Sequence, residues 1–327
     1  MKKLSDIGER QIIKKISEII TPGNEIIGIG DDCAVLELDS ENYFLITTDM
    51  INKKTHILDK MTPFQIGWFS VAINLSDIAS MGGKPLGVVL SLGLPDSLNI
   101  DFVEELMKGA DKCATIYKTS IVGGDTKKNP SITISGTAFG RVEKVKILRR
   151  KGAKPGDVIA VTGNLGKSAA GWLSYKKKNY DDRILSGLFE PIPRVLEGIK
   201  LSDEKIVSCC MDVSDGLSSS LYQLKEVNNL GFEIYKDKLP ISKKLVDIID
   251  SDIDIFDYIL HYGGDYELLF TLSEKNVDRA RAVLEGIECN MSVIGRVTKN
   301  DNIVFFDGKS RNILENRGFE HFKGNIC

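Results

Sequence analysis

Several aspartates in this sequence lie beside glycines or at the ends of apolar runs, where solubility does not require an acidic residue. The clearest case is the stretch Gly28–Val35, in which two glycines precede the adjacent carboxylates of Asp31 and Asp32. Two unit charges about 4 Å apart cost roughly 4 kcal/mol at an effective dielectric near 20. A folded protein that clusters such groups usually supplies a cation. A solvated turn would explain this one stretch equally well.

Further aspartates lie at the end of an apolar run or beside glycine, at Asp49, Asp77, Asp125, Asp212, Asp215 and Asp265. Asp77 follows Asn74 by three residues within an apolar helical segment, so the two side chains share a helix face. A buried amide and carboxylate need partners, which a hydrogen-bonded core pair or a metal ion would supply. Hard oxygen ligands from several element ends suit Mg²⁺ that carries a phosphate-rich substrate. We therefore predict an acidic Mg²⁺ centre.

Composition excludes several other classes of protein. The 327 residues are enough for two domains with sizeable cores. A net charge of −3 and scattered lysines give no basic footprint for nucleic acid. The six cysteines include no Cys-x-x-Cys pair, which argues against zinc or a disulfide framework and fits a reducing cytosol. No segment has the apolar length of a signal peptide or membrane span, so we expect a cytoplasmic protein without membrane contacts.

Hydrophobic periodicity predicts a mixed α/β chain without the regular alternation of a doubly wound sheet. The charged, Gly- and Pro-containing stretch 149–157 divides it into parts 1–150 and 151–327. In the first part we expect a capping box at Asp6 and Glu9, a Gly-Gly-Asp turn at 123–125, helices over 12–20, 63–81 and 102–117, and strands over 43–48, 86–92 and 131–142. In the second part we expect strands over 158–162, 206–211, 232–236, 267–272, 291–297 and 303–306, and helices over 166–178, 193–200, 217–229, 242–250 and 273–284.

Familiar loop and nucleophile motifs do not account for the aspartates. Gly163–Ser168 follows a strand as a phosphate-binding loop would, but that motif needs a glycine where Val161 stands. The turn can still begin a helix whose N-terminus binds an anion. Gly28-x-Gly30 lacks the third glycine of a dinucleotide fingerprint, and no Gly-x-Ser-x-Gly elbow is present.

Read together, the motifs resemble the thiamine-monophosphate kinase family of the aminoimidazole ribonucleotide synthetase-like superfamily. Six segments come in the family's order and span nearly the whole chain: Gly28–Val35, Thr47–Met50, Asn74–Gly82, Gly123–Thr126, Met211–Leu217 and Gly264–Leu268. Each segment alone is weak, but six in order are specific.

The resemblance implies a mixed α/β fold of two domains. Residues 1–150 would bind ATP and Mg²⁺ and pair their sheet with a second copy in a homodimer, and residues 151–327 would form a C-terminal α/β domain. The implied activity is ATP-dependent phosphorylation of thiamine monophosphate by direct in-line transfer. The acceptor is an ionised phosphate oxygen, so no catalytic general base is expected.

The resemblance also implies three sets of site residues. Mg²⁺ would be bound by Asp32, Thr47, Thr48, Asp49, Asp77, Asp125, Asp212 and Asp215. ATP would contact Tyr117, Gly124, Asp125, Arg150 and Ser214. Thiamine monophosphate would contact His56, Phe319 and Gly264. Gly264 stands where the family usually has a glutamate, a departure that concerns the thiamine ring more than the phosphate chemistry.

Two kinds of alternative remain open from the sequence. One is another ATP-using member of the superfamily. Selenophosphate synthetase would need a reactive Cys or selenocysteine near the N-terminus, which Met1–Thr21 lacks, and the hydrogenase maturation factor ends in a reactive cysteine, whereas the flanks of Cys327 differ from that pattern. The other is a catalytically silent nucleotide-binding protein on the same fold. The intact aspartates argue against loss of activity.

Overall fold

The computed structural model describes residues 3–251 and 253–322 and contains two mixed β-sheets with helices packed against them. Cys327, considered above as a reactive terminus, lies outside the described residues. No helix in the described part of the chain is both long and apolar enough to cross a membrane.

The first sheet has five strands in the spatial order β1-β2-β5-β3-β4. The strands are β1 (Ala34–Glu37), β2 (Asn42–Asn52), β3 (Lys84–Leu94), β4 (Ile121–Lys128) and β5 (Thr133–Glu143), and the helices of this part are α1 (Gly8–Ile19), α2 (Pro63–Ser80) and α3 (Ile100–Ile116). Only the β3–β4 pair is parallel; the other neighbours are antiparallel. The antiparallel pairs bring the centre of β2 beside β5, with Asp49 opposite Gly136.

The second sheet has seven strands in the order β12-β11-β8-β10-β6-β9-β7. Its strands are β6 (Val158–Thr162), β7 (Val207–Asp212), β8 (Gly231–Tyr235), β9 (Leu268–Leu272), β10 (Met291–Thr298), β11 (Ile303–Phe306) and β12 (Arg311–Ile313). The helices around it are α4 (Lys167–Lys176), α5 (Asp182–Phe189), α6 (Val195–Glu204), α7 (Leu217–Asn228), α8 (Lys243–Ile248), α9 (Ile255–His261) and α10 (Val277–Glu285). The strand β7 lies at the edge that faces α2, so the two sheets meet through this helix.

Helix α2 is the buried element between the sheets. It begins at a capping box in which the Thr62 hydroxyl accepts from the backbone N–H of Gln65 and the Gln65 side chain accepts from the backbone N–H of Thr62, and Pro63 occupies the first turn. Most of its residues from Ile66 to Ser80 are buried. The helix crosses α3 at two glycines, because a Cβ on Gly67 or on Gly109 would overlap a backbone carbonyl of the other helix. This close crossing fixes where α2 carries its polar side chains.

Two local predictions were wrong. The expected capping box does not form: Asp6 accepts from the backbone of Lys3, and the Glu9 carboxylate instead accepts from the backbone N–H of His321. The expected Gly-Gly-Asp turn is part of β4, because Gly124 lies against the carbonyl of Leu90 and only a residue without a Cβ fits there. Glycines in this segment therefore permit close strand packing rather than chain reversal.

Replacement of Gly67 by Ala is expected to lower the free energy of unfolding by about 1–3 kcal/mol, since the added methyl group would push α2 and α3 apart. Chemical denaturation measures this change. Gly286→Ala, at the end of α10 where a Cβ meets nothing closer than 3.3 Å, is the matched control and should stay within about 0.5 kcal/mol of the parent. A Gly67→Ala protein as stable as the control would contradict the crossing.

Candidate active site

Three carboxylates from three elements converge between the sheets. One oxygen from each of Asp32, Asp77 and Asp212 lies within 4.8 Å of the others. Asp32 lies two residues before β1, Asp77 lies near the C-terminal end of α2, and Asp212 ends β7. We call these three residues the acidic centre. It joins the two sheets at one point.

Neutral hydroxyl donors hold two of these carboxylates. The Thr47 hydroxyl donates to Asp77 Oδ2 at 2.5 Å, and the Ser76 hydroxyl donates to Asp212 Oδ2 at 2.6 Å. Ser76 and Asp77 are consecutive on α2. The helix therefore donates a hydrogen bond to Asp212 through Ser76 and also supplies the carboxylate of Asp77. Asn74 does not join the centre: its amide oxygen accepts from the backbone N–H of Asp49 at 3.1 Å. The sequence left two roles open for this amide, a hydrogen-bonded partner in the core or a metal ligand, and the structure shows the hydrogen bond.

Arg150 is the cation nearest to the acidic centre. Its Nε donates to Asp32 Oδ1 at 2.9 Å, and its Nη2 forms a second, short bond to the same oxygen. Its Nη1 donates to Gln223 on α7 at 2.8 Å, and its backbone N–H donates to Asp31. The other oxygen of Asp32 is buried and has no hydrogen-bond partner among residues 3–251 and 253–322. A buried, unpartnered carboxylate oxygen beside two further carboxylates is a fitting place for a divalent cation.

Burial and mutual repulsion raise the pKa values of these acids. Burial and then Asp32 raise the pKa of Asp212 to about 7. Burial raises the pKa of Asp77 well above its usual value, with Asp49 and Asp212 adding to the effect. Burial raises the pKa values of Asp49 and Asp215 to about 6. Because these pKa values are raised, the metal-free acids hold protons at a higher pH than ordinary aspartates do, and a divalent cation would take the place of those protons.

Sequence reasoning missed two charged residues beside the acidic centre. After burial, the carboxylate of Glu9 is the largest cause of the raised pKa of Asp215, and Arg10 opposes it. Arg10 also donates to the Ser219 hydroxyl on α7 at 2.5 Å. Both residues sit at the start of α1, about two hundred positions from their partners. No local pattern in the sequence signals that contact.

Strand alternation separates Thr48 and Asp125 from the acidic centre. Thr47 and Asp49 point from β2 towards α2, so Thr48 points to the opposite face of the sheet. Asp125 lies opposite Ser91 on β3, in a row of residues that shares the outer face, and its side chain is 60 % exposed. Asp125 is also three strands from β2. Within one chain, the structure does not bring Thr48 and Asp125 to the other predicted ligands, and their role as Mg²⁺ ligands stays a prediction.

The residues predicted to contact the acceptor, His56, Phe319 and Gly264, lie near the loop that carries Asp215. The His56 ring is 5.7 Å from the ring of His321, which packs edge-on against Phe319 at 4.7 Å. The backbone N–H of Phe319 donates to the carbonyl of Asp215 at 3.0 Å. The backbone N–H of Gly264 donates to the carbonyl of Ser214 at 2.7 Å, in a left-handed conformation with φ of +91°. Phe319 and Gly264 therefore border Ser214 and Asp215, and His56 is linked to Phe319 through the ring of His321.

The remaining predicted nucleotide contacts are dispersed. Ser214 stands next to Asp215, and Arg150 is bonded to Asp32. Gly124 is in the middle of β4, on the edge strand of the first sheet. Tyr117 ends α3 and is half-buried; after burial, its raised pKa reflects Cys113 and Glu197 rather than any member of the acidic centre. Within one chain, Arg150 and Ser214 are near the centre and Tyr117 has other neighbours.

In metal-free protein, Asp212→Asn is expected to raise the free energy of unfolding, and more so at neutral than at acidic pH. Since the pKa of Asp212 is raised from 3.8 to about 7, the folded state binds more protons than the unfolded state between these values. Stability from this group is therefore present at low pH and falls as the pH rises through that window. The advantage of the variant should grow by roughly 1–3 kcal/mol between pH 5 and pH 7.5.

Urea unfolding in the presence of a chelator at the two pH values measures the effect. Asp247→Asn, on the exposed face of α8, is the matched control and should change stability equally at both pH values. An Asp212→Asn advantage that does not depend on pH would contradict the electrostatic account.

Comparison with known proteins identifies the family. Residues 30–142 match the model for the AIR synthase related protein N-terminal domain, and residues 154–308 match that for the C-terminal domain. The chain is 37 % identical to the thiamine-monophosphate kinase of Buchnera aphidicola subsp. Acyrthosiphon pisum over 306 residues, which cover 91 % of this chain and 93 % of that protein. It is 33 % identical to the thiamine-monophosphate kinase of Aquifex aeolicus, over 98 % of this chain and 99 % of that protein.

Solved structures agree with this assignment. A structure described as AaThiL complexed with AMPPCP and TMP superposes with a TM-score of 0.88 at 29 % identity, over 98 % of this chain and 99 % of that one. The thiamine-monophosphate kinase of Stenotrophomonas maltophilia gives a TM-score of 0.78 at 30 % identity, over 92 % and 96 % of the two chains. The hydrogenase maturation protein HypE of E. coli, at 17 % identity and a TM-score of 0.72 over 94 % and 97 %, shares the fold. By sequence and structure, the chain belongs to the thiamine-monophosphate kinase family of AIR synthase related proteins.

Proposed function

We propose that this chain transfers the γ-phosphate of ATP to thiamine monophosphate and releases thiamine diphosphate and ADP. The carrying observation is the acidic centre with its buried, unpartnered oxygen on Asp32. It is supported by relatives that are named thiamine-monophosphate kinases and by the similar structure that binds AMPPCP and TMP. The site also lies at the junction of the two sheets, where a nucleotide and a second phosphate would meet.

The residues present fit Mg²⁺ as the companion cation. Ligands would come from the acidic centre, Asp32, Asp77 and Asp212, and from the adjacent Thr47, Asp49 and Asp215. Their raised pKa values and the lone oxygen of Asp32 support this set. When bound, Mg²⁺ supplies the positive charge that lets two polyanionic phosphates approach each other.

The protein's own contribution is to fix the charges before the substrates arrive. Arg150 holds one oxygen of Asp32 and leaves the other free, while Thr47 and Ser76 orient the carboxylates of Asp77 and Asp212. Such preorganisation removes the cost of reorienting dipoles during transfer. Because the acceptor oxygen is already ionised, alignment of donor and acceptor replaces proton abstraction. His56, whose pKa burial and His321 lower to about 4, is accordingly neutral and free to contact the substrate.

The outer face of the first sheet supports a homodimer. Helices α2 and α3 pack on the inner face, whereas Met50 alternates with Asp49 onto the other side and is 58 % exposed. Phe44 and Phe139 lie on that outer face with ring centroids 5.9 Å apart. An apolar sheet face of this kind is suited to an isologous contact with its copy. We propose residues 1–150 as the nucleotide-binding and dimerisation domain and residues 151–327 as the C-terminal domain.

The same dimer would give Thr48 and Asp125 a role. Both residues lie on the outer face, away from the acidic centre of their own chain. Their predicted functions are compatible with the fold if they reach the nucleotide held by a second copy. The complete site would then be shared between two chains, with Asp125 acting across the interface.

A turnover assay with thiamine monophosphate and ATP tests the function directly. Asp49→Asn and Asp215→Asn should each lose most of the activity, because each removes a charge that the cation needs. Thermal stability of the metal-free variants should be unchanged or slightly higher, since like-charge repulsion is relieved. Wild-type protein that binds ATP but forms no thiamine diphosphate would favour the catalytically silent alternative. A strongly destabilised Asp49→Asn with normal turnover would remove the metal assignment.

Mixed dimers test the shared site. Light scattering should first give about twice the 36.1 kDa chain mass. Asp125→Asn and Asp212→Asn carried on differently tagged chains should each be inactive alone. The doubly tagged heterodimer should recover about half of the wild-type activity, because one of its two sites then contains neither change. A heterodimer as inactive as either parent would place Asp125 in its own chain's site and refute the exchange.

A further inference from the structure

His321 lies between the predicted acceptor contacts His56 and Phe319, although no sequence motif singled it out. Its ring centroid is 5.7 Å from that of His56, with the planes inclined by 53°. It is 4.7 Å from the ring of Phe319, at 86°, an edge-to-face contact. His321 is therefore the middle member of three consecutive rings, which we call the ring wall: His56, His321 and Phe319.

The backbone of the ring wall is fixed from two sides. Glu9 on α1 forms a reciprocal pair with His321: its backbone N–H donates to the His321 carbonyl at 3.2 Å, and its carboxylate accepts from the His321 N–H at 3.1 Å. Phe319 is bonded to the carbonyl of Asp215. Gly318 permits this approach, because a Cβ there would lie 2.7 Å from that carbonyl. The segment is thus anchored to the loop that carries Asp215.

The imidazole of His321 has hydrogen-bonding capacity left over. In the described part of the chain its ring nitrogens form no hydrogen bond, while His56 Nδ1 is paired with the Thr55 hydroxyl at 2.6 Å. Two half-buried imidazoles, with the Glu9 carboxylate next to His321, suit a ligand that is aromatic, carries a positive charge and offers polar hydrogens. Gly264 on the neighbouring loop has no side chain with which to contact such a ligand.

We propose that His321 is a specificity-determining residue of the acceptor site, which hydrogen-bonds the heteroaromatic part of a cationic phosphomonoester and holds Phe319 edge-on for stacking. The proposal rests on the proposed function, since it takes thiamine monophosphate as that acceptor. His321 touches the organic part of the acceptor and leaves phosphoryl transfer to the acidic centre. Its loss should therefore alter acceptor affinity with little effect on the nucleotide.

Two substitutions distinguish the contribution of the His321 ring nitrogens from that of its planar ring. His321→Phe keeps a planar ring against Phe319 and removes both nitrogens, so the KM for thiamine monophosphate should rise about five- to tenfold, as expected for one neutral hydrogen bond. His321→Asn retains a polar hydrogen-bonding group and should recover part of that loss. The KM for ATP should stay within about twofold in both. Phe322→Leu, beyond the wall and half-exposed, is the matched control and should leave both constants unchanged.

Direct binding makes the result independent of turnover. Calorimetry with thiamine monophosphate, Mg²⁺ and a non-hydrolysable ATP analogue should show weaker acceptor binding to His321→Phe by the same factor. In ¹⁵N-histidine-labelled wild-type protein, the His321 ring signal should shift on adding thiamine monophosphate and not on adding the ATP analogue alone. Wild-type protein that binds the acceptor without turnover would refute the proposed function and leave this inference standing.

Three outcomes would overturn the inference. The first is a His321→Phe protein whose acceptor affinity equals that of wild type. The second is a parallel rise in the constants for both substrates, which would mean that His321 acts through the fold. The third is wild-type protein that does not bind thiamine monophosphate at all, because the ring wall would then serve some other ligand.

Discussion

Repulsion among buried carboxylates is the constraint on which the rest of this structure depends. The acidic centre places charges from both sheets within 4.8 Å, and burial makes their ionisation unfavourable without a cation. The surrounding groups reduce this repulsion or hold the carboxylates in place. Arg150 compensates Asp32, the hydroxyls of Thr47 and Ser76 donate to the other two carboxylates, and the close crossing of α2 and α3 holds α2 where it can present Asp77. The proposed binding of Mg²⁺ and polyphosphate would relieve this repulsion.

Most of the fold and the inner half of the site could be predicted from the sequence. The apolar segment 63–81 predicted α2, whereas Asp49, expected just after a strand over 43–48, lies inside β2 with its backbone N–H bonded to Asn74. The period of two in a strand also places Thr48 on the face opposite Thr47, so its predicted role as a Mg²⁺ ligand points to the shared site proposed for the dimer. The turn expected at 123–125 was wrong, because paired glycines signal a turn as readily as a tightly packed strand.

The remaining errors concern contacts between distant parts of the chain. Glu9 and His321 are 312 residues apart, and each has an ordinary local context. The expected capping box failed because a tertiary partner took the Glu9 carboxylate, which shows how a single long-range bond overrides a local propensity. The family resemblance named His56 and Phe319, but no pattern placed His321 between them, since the three rings of the ring wall come from two remote segments.

The pairing of Glu9 with His321 also bears on the order in which the protein assembles. Closing a loop of this length carries a large entropic cost that only the finished domains can offset. We therefore expect the ring wall to form after the acidic centre during folding. Its contacts should also break before those of the acidic centre, because it is a separate unit of low local stability. Amide exchange at 319–321 would then be faster than in β7, and a short extension at the amino terminus would weaken acceptor capture before it affected global unfolding. The start of α1 and the segment 319–321 thus hold each other beside the proposed acceptor site.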